Sequence, residues 1–369
     1  MTAEKKQVQI LEILHDVTAT GKVNPWSEKK LANMELSRAY KEIGDFRKAE
    51  RLSECTLCLK FTRTEDGKRL RWMSSCRVKL CPICTWRRSL KIFVQTNKII
   101  RAMSEEKDYA YIILTMSAGE RVKGEALEER INLMLGAWNR LLKYKPVEKV
   151  AKGWFRGLEI THDVQPKITK EMYRANQKRR DYYDRHGLKP GMDNPQYDTY
   201  HPHFHCILAV NQSYFVSRDY LKQDEWIALW QRALKVDYNP DLRVERAKGK
   251  LDRAVSEVAK YTVKDGHYIV PTDWNLTKQT VALLDKVINK RRFVAYGGKM
   301  KEWHKKLHLD DSEDGDLVNV DGKTDPRELD KDENVISYHW RYGYSQGTPI
   351  GAYVKCWCNP VRKLADEKT

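Results

Sequence analysis

Tyr200–Val210 reads YHPHFHCILAV and places His201, His203 and His205 at alternate positions ahead of an apolar run, Cys206-Ile207-Leu208-Ala209-Val210. Residues two apart share one side of a β-strand, so a strand here puts three imidazoles on one face. His203 and His205 can then grip one divalent cation, because neutral imidazole is a good ligand for first-row metals. The apolar tail buries the strand in a sheet and holds the rings at its edge. Pro202 favours an edge strand or a strand start. A His-rich turn without metal has the same letters, so the rest of the chain has to decide.

Upstream, Tyr109–Ser117 (YIILTMS at its end) and Trp154–Asp163 (WFRGLEITHD) read as strands, with the amphipathic helix Ala126–Lys143 between them. In the second strand Glu159, Thr161 and Asp163 alternate onto one face. Glu159 is therefore the expected third metal ligand, with Asp163 or His162 as weaker options. The insertion Gln165–Thr199 is polar and basic-aromatic, and long loops beside a site are often functional. Downstream come a helix at Tyr220–Ala233, a short strand at Leu242–Arg246, and Ala254–Lys264, AVSEVAKYTVK. On a helix Glu257, Tyr261 and Lys264 neighbour one another. A tyrosine beside a cation is a candidate nucleophile, and a carboxylate one turn away can act as general base or orient a water. An ordinary salt-bridged helix has the same spacing.

The chain has 369 residues, a formal net charge of +17 and a sequence pI of about 9.3. That excess points to a polyanion, and nucleic acid is the preferred partner. No apolar run reaches the ~20 residues of a membrane span, and the N-terminus does not read as a secretory signal. Five of eight cysteines fall within Cys55–Cys84, a pattern expected of clustered metal-binding thiols in a cytoplasmic protein rather than of disulfides. Cys55-x-x-Cys58 and Cys81-x-x-Cys84 can close a four-thiolate Zn²⁺ site, and Cys76 can replace one of the four. Arg77, Lys79, Arg87 and Arg88, with Trp86 between them, suit phosphate contact and base stacking.

The expected organisation is α+β: a helical N-terminal arm over 1–50, the cysteine module over 51–92 and a catalytic domain over 93–270. A basic helical extension follows over 271–310, then an acidic exposed linker and C-terminal segment over 311–369. Two amphipathic helices are expected in the arm. Cys356 and Cys358 read as unpaired thiols.

In combination, YIILTMS, HPHFHCILAV and EVAKYTVKDGHYI resemble the three motifs of the HUH endonucleases. With SCRVKLCPICTWRRS, VNQSYF, EWIALW and FVAYGGKMKEW, the specific resemblance is to rolling-circle replication initiators of small Gram-positive plasmids, over about residues 51–310. The resemblance implies a central antiparallel sheet flanked by helices, with the histidine pair on a middle strand. It implies Mg²⁺ or Mn²⁺ on His203 and His205 with Glu159, and a Tyr261 that nicks one origin strand, keeping the 5′ phosphate and leaving a 3′ hydroxyl. It gives Glu257 the activation of water at termination, and Lys264 the phenolate or the scissile phosphate. No G-x-x-x-x-G-K-[ST] motif occurs, so a host helicase is the implied partner, and self-association into a homo-oligomer stays open. An HUH transposase and a non-catalytic zinc-dependent DNA-binding regulator are the competing readings.

Overall fold

A computed structural model describes residues 12–18, 20–64, 67–175, 177–247, 255, 267–320, 335–345 and 348–356. Its first elements are α1 (Trp26–Glu42), α2 (Phe46–Glu54), β1 (Cys58–Thr64), β2 (Gly67–Met73), α3 (Pro82–Glu106) and β3 (Tyr109–Ser117). Then come α4 (Gly124–Leu141), α5 (Lys145–Val150), β4 (Gly153–Asp163), α6 (Lys170–Arg174), α7 (Gln177–Arg185) and β5 (Thr199–Asn211). The last are α8 (Gln223–Leu234), β6 (Leu242–Arg246), α9 (Trp274–Ile288), β7 (Val294–Gly297), α10 (Gly298–Lys306), β8 (Val335–Ser345) and β9 (Thr348–Cys356). The fold is α+β with antiparallel sheets, as expected. No helix among the described residues is long and apolar enough to cross a membrane.

The chain divides into two compact units, 1–87 with 316–369, and 88–315. In the second, five strands pair in the order β6-β3-β5-β4-β7, every pair antiparallel. The histidine strand β5 is therefore central. Alternation decides its two faces: Phe204, Cys206 and Leu208 are buried on one, while His201, His203 and His205 are half-buried on the other. On the first face α4 and α8 supply Trp138, 6.2 Å from the Phe204 ring and 5.2 Å from Trp154, and Trp230, 6.4 Å from Phe204. Aromatic edges and faces at these separations add to the burial of a large apolar area. Pro202 is tolerated in this central strand because β3 ends at Ser117, opposite His203, so Pro202 pairs with Ile160 of β4 and with no residue of β3.

After β7 the chain must turn tightly into α10. Gly298 has φ +52°, and a Cβ there would lie 2.5 Å from the Lys152 carbonyl oxygen. Only glycine fits such a left-handed close approach.

In the first unit four strands pair in the order β2-β1-β8-β9, so the C-terminal strands complete a sheet begun by the cysteine segment. Leu59, Phe61, Leu70 and Tyr338 are buried on its inner face, where Trp26 of α1 meets Phe61 edge-on at 6.2 Å. The first of the two expected N-terminal helices is not seen among described residues. Residues 12–18 run extended, and Ile13 bridges to Val354.

Candidate active site and metal centres

Strand register builds the histidine site. Glu159 on β4 lies directly opposite His203 on β5, and Gly157, with no side chain, lies opposite His205. Glu159 Oε2 is 3.4 Å from His203 Nε2 and 3.2 Å from His205 Nε2. The far ring nitrogens are held: His203 Nδ1 faces the His201 carbonyl oxygen at 3.2 Å, and His205 Nδ1 faces Thr115 Oγ1 at 3.4 Å. With Nδ1–H donating to the carbonyl, His203 aims its Nε2 lone pair at Glu159, the outer-partner arrangement typical of ligating histidines. Three such acceptors converge only with positive charge between them, either a proton or a cation.

Burial pushes the Glu159 carboxyl up, but its bonds and charge interaction with His203 and His205 outweigh this and hold it well below the ordinary carboxylate range. Cis ligands of an octahedral cation with bonds of about 2.1 Å sit about 3.0 Å apart, close to the separations seen. Two imidazoles and a carboxylate thus fit a divalent cation, as Glu159, His203 and His205 were expected to. His201 shares their face but stands outside the group. Burial, then the neighbouring His203 and Arg121, lowers its ring to about 4, so it is neutral near pH 7.

The weaker ligand options are occupied elsewhere. His162 falls on the opposite face, stacked on Tyr200 at 4.1 Å, with its nitrogens on the His267 carbonyl oxygen (2.8 Å) and Asp198 (2.9 Å). Asp163 takes Arg179 at 3.0 Å and the Asn194 amide at 3.0 Å. Beside His201 opens a pocket of about 620 Å³ lined by Arg121, Arg179, Tyr182 and Thr199. Arg121 donates to Thr199 Oγ1 at 2.8 Å and to the carbonyl oxygens of Thr199 (2.6 Å) and Thr161 (3.2 Å), tying the ends of β4 and β5 together. Nothing in the local sequence singled Arg121 out. Glu257, Tyr261 and Lys264 lie outside the described residues. Val255, just before them, is helical and buried.

The thiol centre takes the alternative in which Cys76 replaces one thiol of the paired CxxC set. Cys55, Cys76, Cys81 and Cys84 gather as one buried group, and Cys58 is not among them. The Sγ atom of Cys55 is 3.8 Å from those of Cys81 and Cys84, and that of Cys76 is 3.7 Å from that of Cys84. A tetrahedral ion with Zn–S bonds of about 2.3 Å has ligand sulfurs about 3.8 Å apart. Cys58 is excluded because it opens β1, where pairing sets it opposite His339.

Two buried polar side chains of α1 support the centre. The Lys30 ammonium donates to the carbonyl oxygens of Cys55 (2.5 Å) and Ser53 (2.9 Å) and to Asn33, and the Asn33 amide reaches Cys81 Sγ at 3.4 Å. Their signal was available: Lys30 and Asn33 interrupt the otherwise apolar stripe Trp26, Leu36, Ala39, Tyr40.

The basic residues after the second knuckle are also placed differently from expectation. Arg87 is buried and donates to the carbonyl oxygens of Leu317 (2.9 Å) and Val318 (2.7 Å). Arg88, 2% exposed, donates to that of Glu313 at 3.0 Å. Trp86 packs on Trp26 at 4.7 Å. These three hold the fold and have little left to offer DNA. Arg77 is exposed and Lys79 half-buried.

An antiparallel sheet with a His/His/Glu group at its open end, joined to a cysteine-rich unit, is the arrangement that the resemblance to replication initiators implied. A family model described as "Replication protein" (Rep_1) matches residues 67–347, and the chain belongs to that family. It is 37% identical over 342 residues to a "Protein rep" of Bacillus amyloliquefaciens, covering 85% of this chain and 91% of the relative. Further relatives called "Protein rep" come from Lentilactobacillus hilgardii (34% over 344 residues; 90% and 96% covered) and Streptococcus pneumoniae (33% over 335 residues; 88% and 92%). No solved structure matches.

Proposed function

We propose that this plasmid replication initiator is a site-specific, divalent-metal-dependent nickase and strand transferase of the HUH type, acting at the origin of a rolling-circle plasmid. The observation that carries the reading is the convergence of Glu159, His203 and His205 within 3.2–3.4 Å contacts at the sheet's open end. Mg²⁺ or Mn²⁺ there would polarise the scissile phosphate and offset charge on the pentacoordinate transition state.

The Tyr261 phenolic oxygen attacks phosphorus. The bond to the 3′ oxygen breaks, that oxygen takes up a proton, and the 5′ phosphate stays on the tyrosine. The free 3′ hydroxyl primes synthesis. At termination Glu257 takes a proton from water, whose oxygen displaces the tyrosine from phosphorus, and Lys264 favours the phenolate throughout. Zn²⁺ on Cys55, Cys76, Cys81 and Cys84 would be structural, closing all four positions with thiolates. A host helicase unwinds the duplex behind the nick.

The test is incubation with a labelled single-stranded oligonucleotide spanning the plasmid's nick site, with Mn²⁺, followed by denaturing electrophoresis. Wild type forms a covalent adduct, Tyr261→Phe forms none, and Glu257→Ala forms one that persists. Specific duplex binding with no adduct on either origin strand leaves a non-catalytic DNA-binding regulator.

A further inference from the structure

The two faces of the β2-β1-β8-β9 sheet treat their cations differently. On the inner face Lys68 donates to the His15 carbonyl oxygen at 3.1 Å and lies over the Tyr338 ring, and Lys355 pairs with Glu12 at 2.7 Å. The outer face is set by register: Lys60 lies opposite Trp72 and Ser337, Thr62 opposite Arg69, and Cys58 opposite His339, two residues before Arg341. A bulge makes this possible. The pairing jumps from Lys60–Trp72 to Phe61–Leu70, so Arg71 is the extra residue, and Trp72 joins Arg69 on one face although three positions away.

Lys60, Arg69 and Arg341 make no ion pair among the described residues, and none of the four strands contains an Asp or Glu. Trp72 is 46% exposed with the Lys60 ammonium 5.6 Å from its ring centre. An open indole among basic side chains with no ion pair among the described residues offers a stacking platform beside phosphate-binding charge.

We propose that this outer sheet face is a second DNA-binding surface, on which a single-stranded segment lays its phosphates along Lys60, Arg69 and Arg341 and stacks a base on Trp72. Charge complementarity selects a polyanion, and the open indole selects a strand with unstacked bases, because a duplex keeps its base faces to itself. The assignment rests on the DNA partner proposed above but not on the nicking chemistry.

The experiment uses the full-length, zinc-loaded chain and measures fluorescence anisotropy on a labelled sixteen-residue oligo-dT and on a duplex of equal length, across a salt series. Trp72→Ala weakens oligo-dT binding by roughly 5- to 100-fold and changes duplex binding less than about twofold. The triple variant Lys60→Ala/Arg69→Ala/Arg341→Ala lowers the salt slope for oligo-dT by about 2, at about 0.7 per phosphate contact. Zinc content and circular dichroism equal to wild type show that both variants fold. Wild-type affinity and slope in both variants overturn the proposal, as does an equal loss on the duplex. Adduct formation on a short nick-site oligonucleotide reads the nickase separately: wild type that binds oligo-dT through this face but forms no adduct sinks that reading and keeps this one.

Discussion

Cys76→Ser and Cys58→Ser, compared side by side, separate the thiol group found in the fold from the one that spacing alone prefers. Cys76 Sγ lies 3.7 Å from Cys84 Sγ inside the buried group, whereas Cys58 is half-buried on β1 opposite His339. Structural four-thiolate zinc sites carry an apparent binding free energy of about 10–16 kcal/mol. Shared over four ligands, losing one costs about 3 kcal/mol, or roughly 100-fold in zinc affinity. Zinc should therefore be stripped from Cys76→Ser by a competing chelator at roughly one hundredth of the concentration wild type withstands, and its thermal unfolding midpoint should fall. Cys58→Ser should keep one equivalent of zinc at that centre and shift the midpoint little. The measurement is bound zinc against chelator concentration, followed by calorimetry of the same samples. Loss of zinc from Cys58→Ser with retention in Cys76→Ser would refute the assignment and restore the paired CxxC set.

Three further outcomes are expected. Glu159→Gln keeps the side chain's shape and removes its charge, so the Mn²⁺ concentration giving half-maximal nicking should rise at least about 10- to 100-fold; an unchanged metal titration would remove Glu159 from the site. Lys30→Met leaves the carbonyls of Ser53 and Cys55 without their donor and should destabilise by about 2–4 kcal/mol in urea unfolding; a neutral result would mean that the buried ammonium is dispensable. Asp311 is pushed up by burial, but the backbone N–H of Asp314, the Arg292 guanidinium and the N–H of Glu313 together lower it to about 2. A depressed folded pKa means stability that is present above the unfolded value near 4 and lost as pH falls toward 2. The shift corresponds to about 2 kcal/mol, and screening of a side chain 39% exposed reduces it to about 1 kcal/mol. Urea unfolding of Asp311→Asn should thus show a deficit of that size at pH 7 that closes below pH 3, and a pH-independent gap would contradict this.

The histidine site was legible because period-two alternation is local: HxH and the alternating carboxylate each announce their own strand, and only the pairing of β4 with β5 had to be supplied by the fold. Strands β3 and β6 coincide with their sequence readings, and the helices read at Ala126–Lys143 and Tyr220–Ala233 differ only at their ends, whereas α3 starts at Pro82, inside the expected cysteine module. The cysteines were less legible because spacing says which thiols can meet, not which way a strand turns them. Cys58 is turned by β8, a strand that begins only at Val335. The acidic stretch after residue 310 read as an exposed linker for the same reason. Its first residues are drawn in by distant partners: Lys91 and Gln95 hold Asp310, Arg88 holds the Glu313 backbone, and Ser312 and Glu313 are buried.

Charge was the most misleading signal when read locally. Arg87 and Arg88 sit in the basic run beside the second knuckle and are spent on backbone carbonyls, while Lys60, Arg69 and Arg341 are scattered over three strands and make no ion pair among the described residues. A net charge of +17 fixes how much positive charge must face an external anion, not where. Where it faces out depends on which cations the fold has already neutralised. In the first unit that comparison is the ground for the proposed DNA contacts on the open face of its sheet.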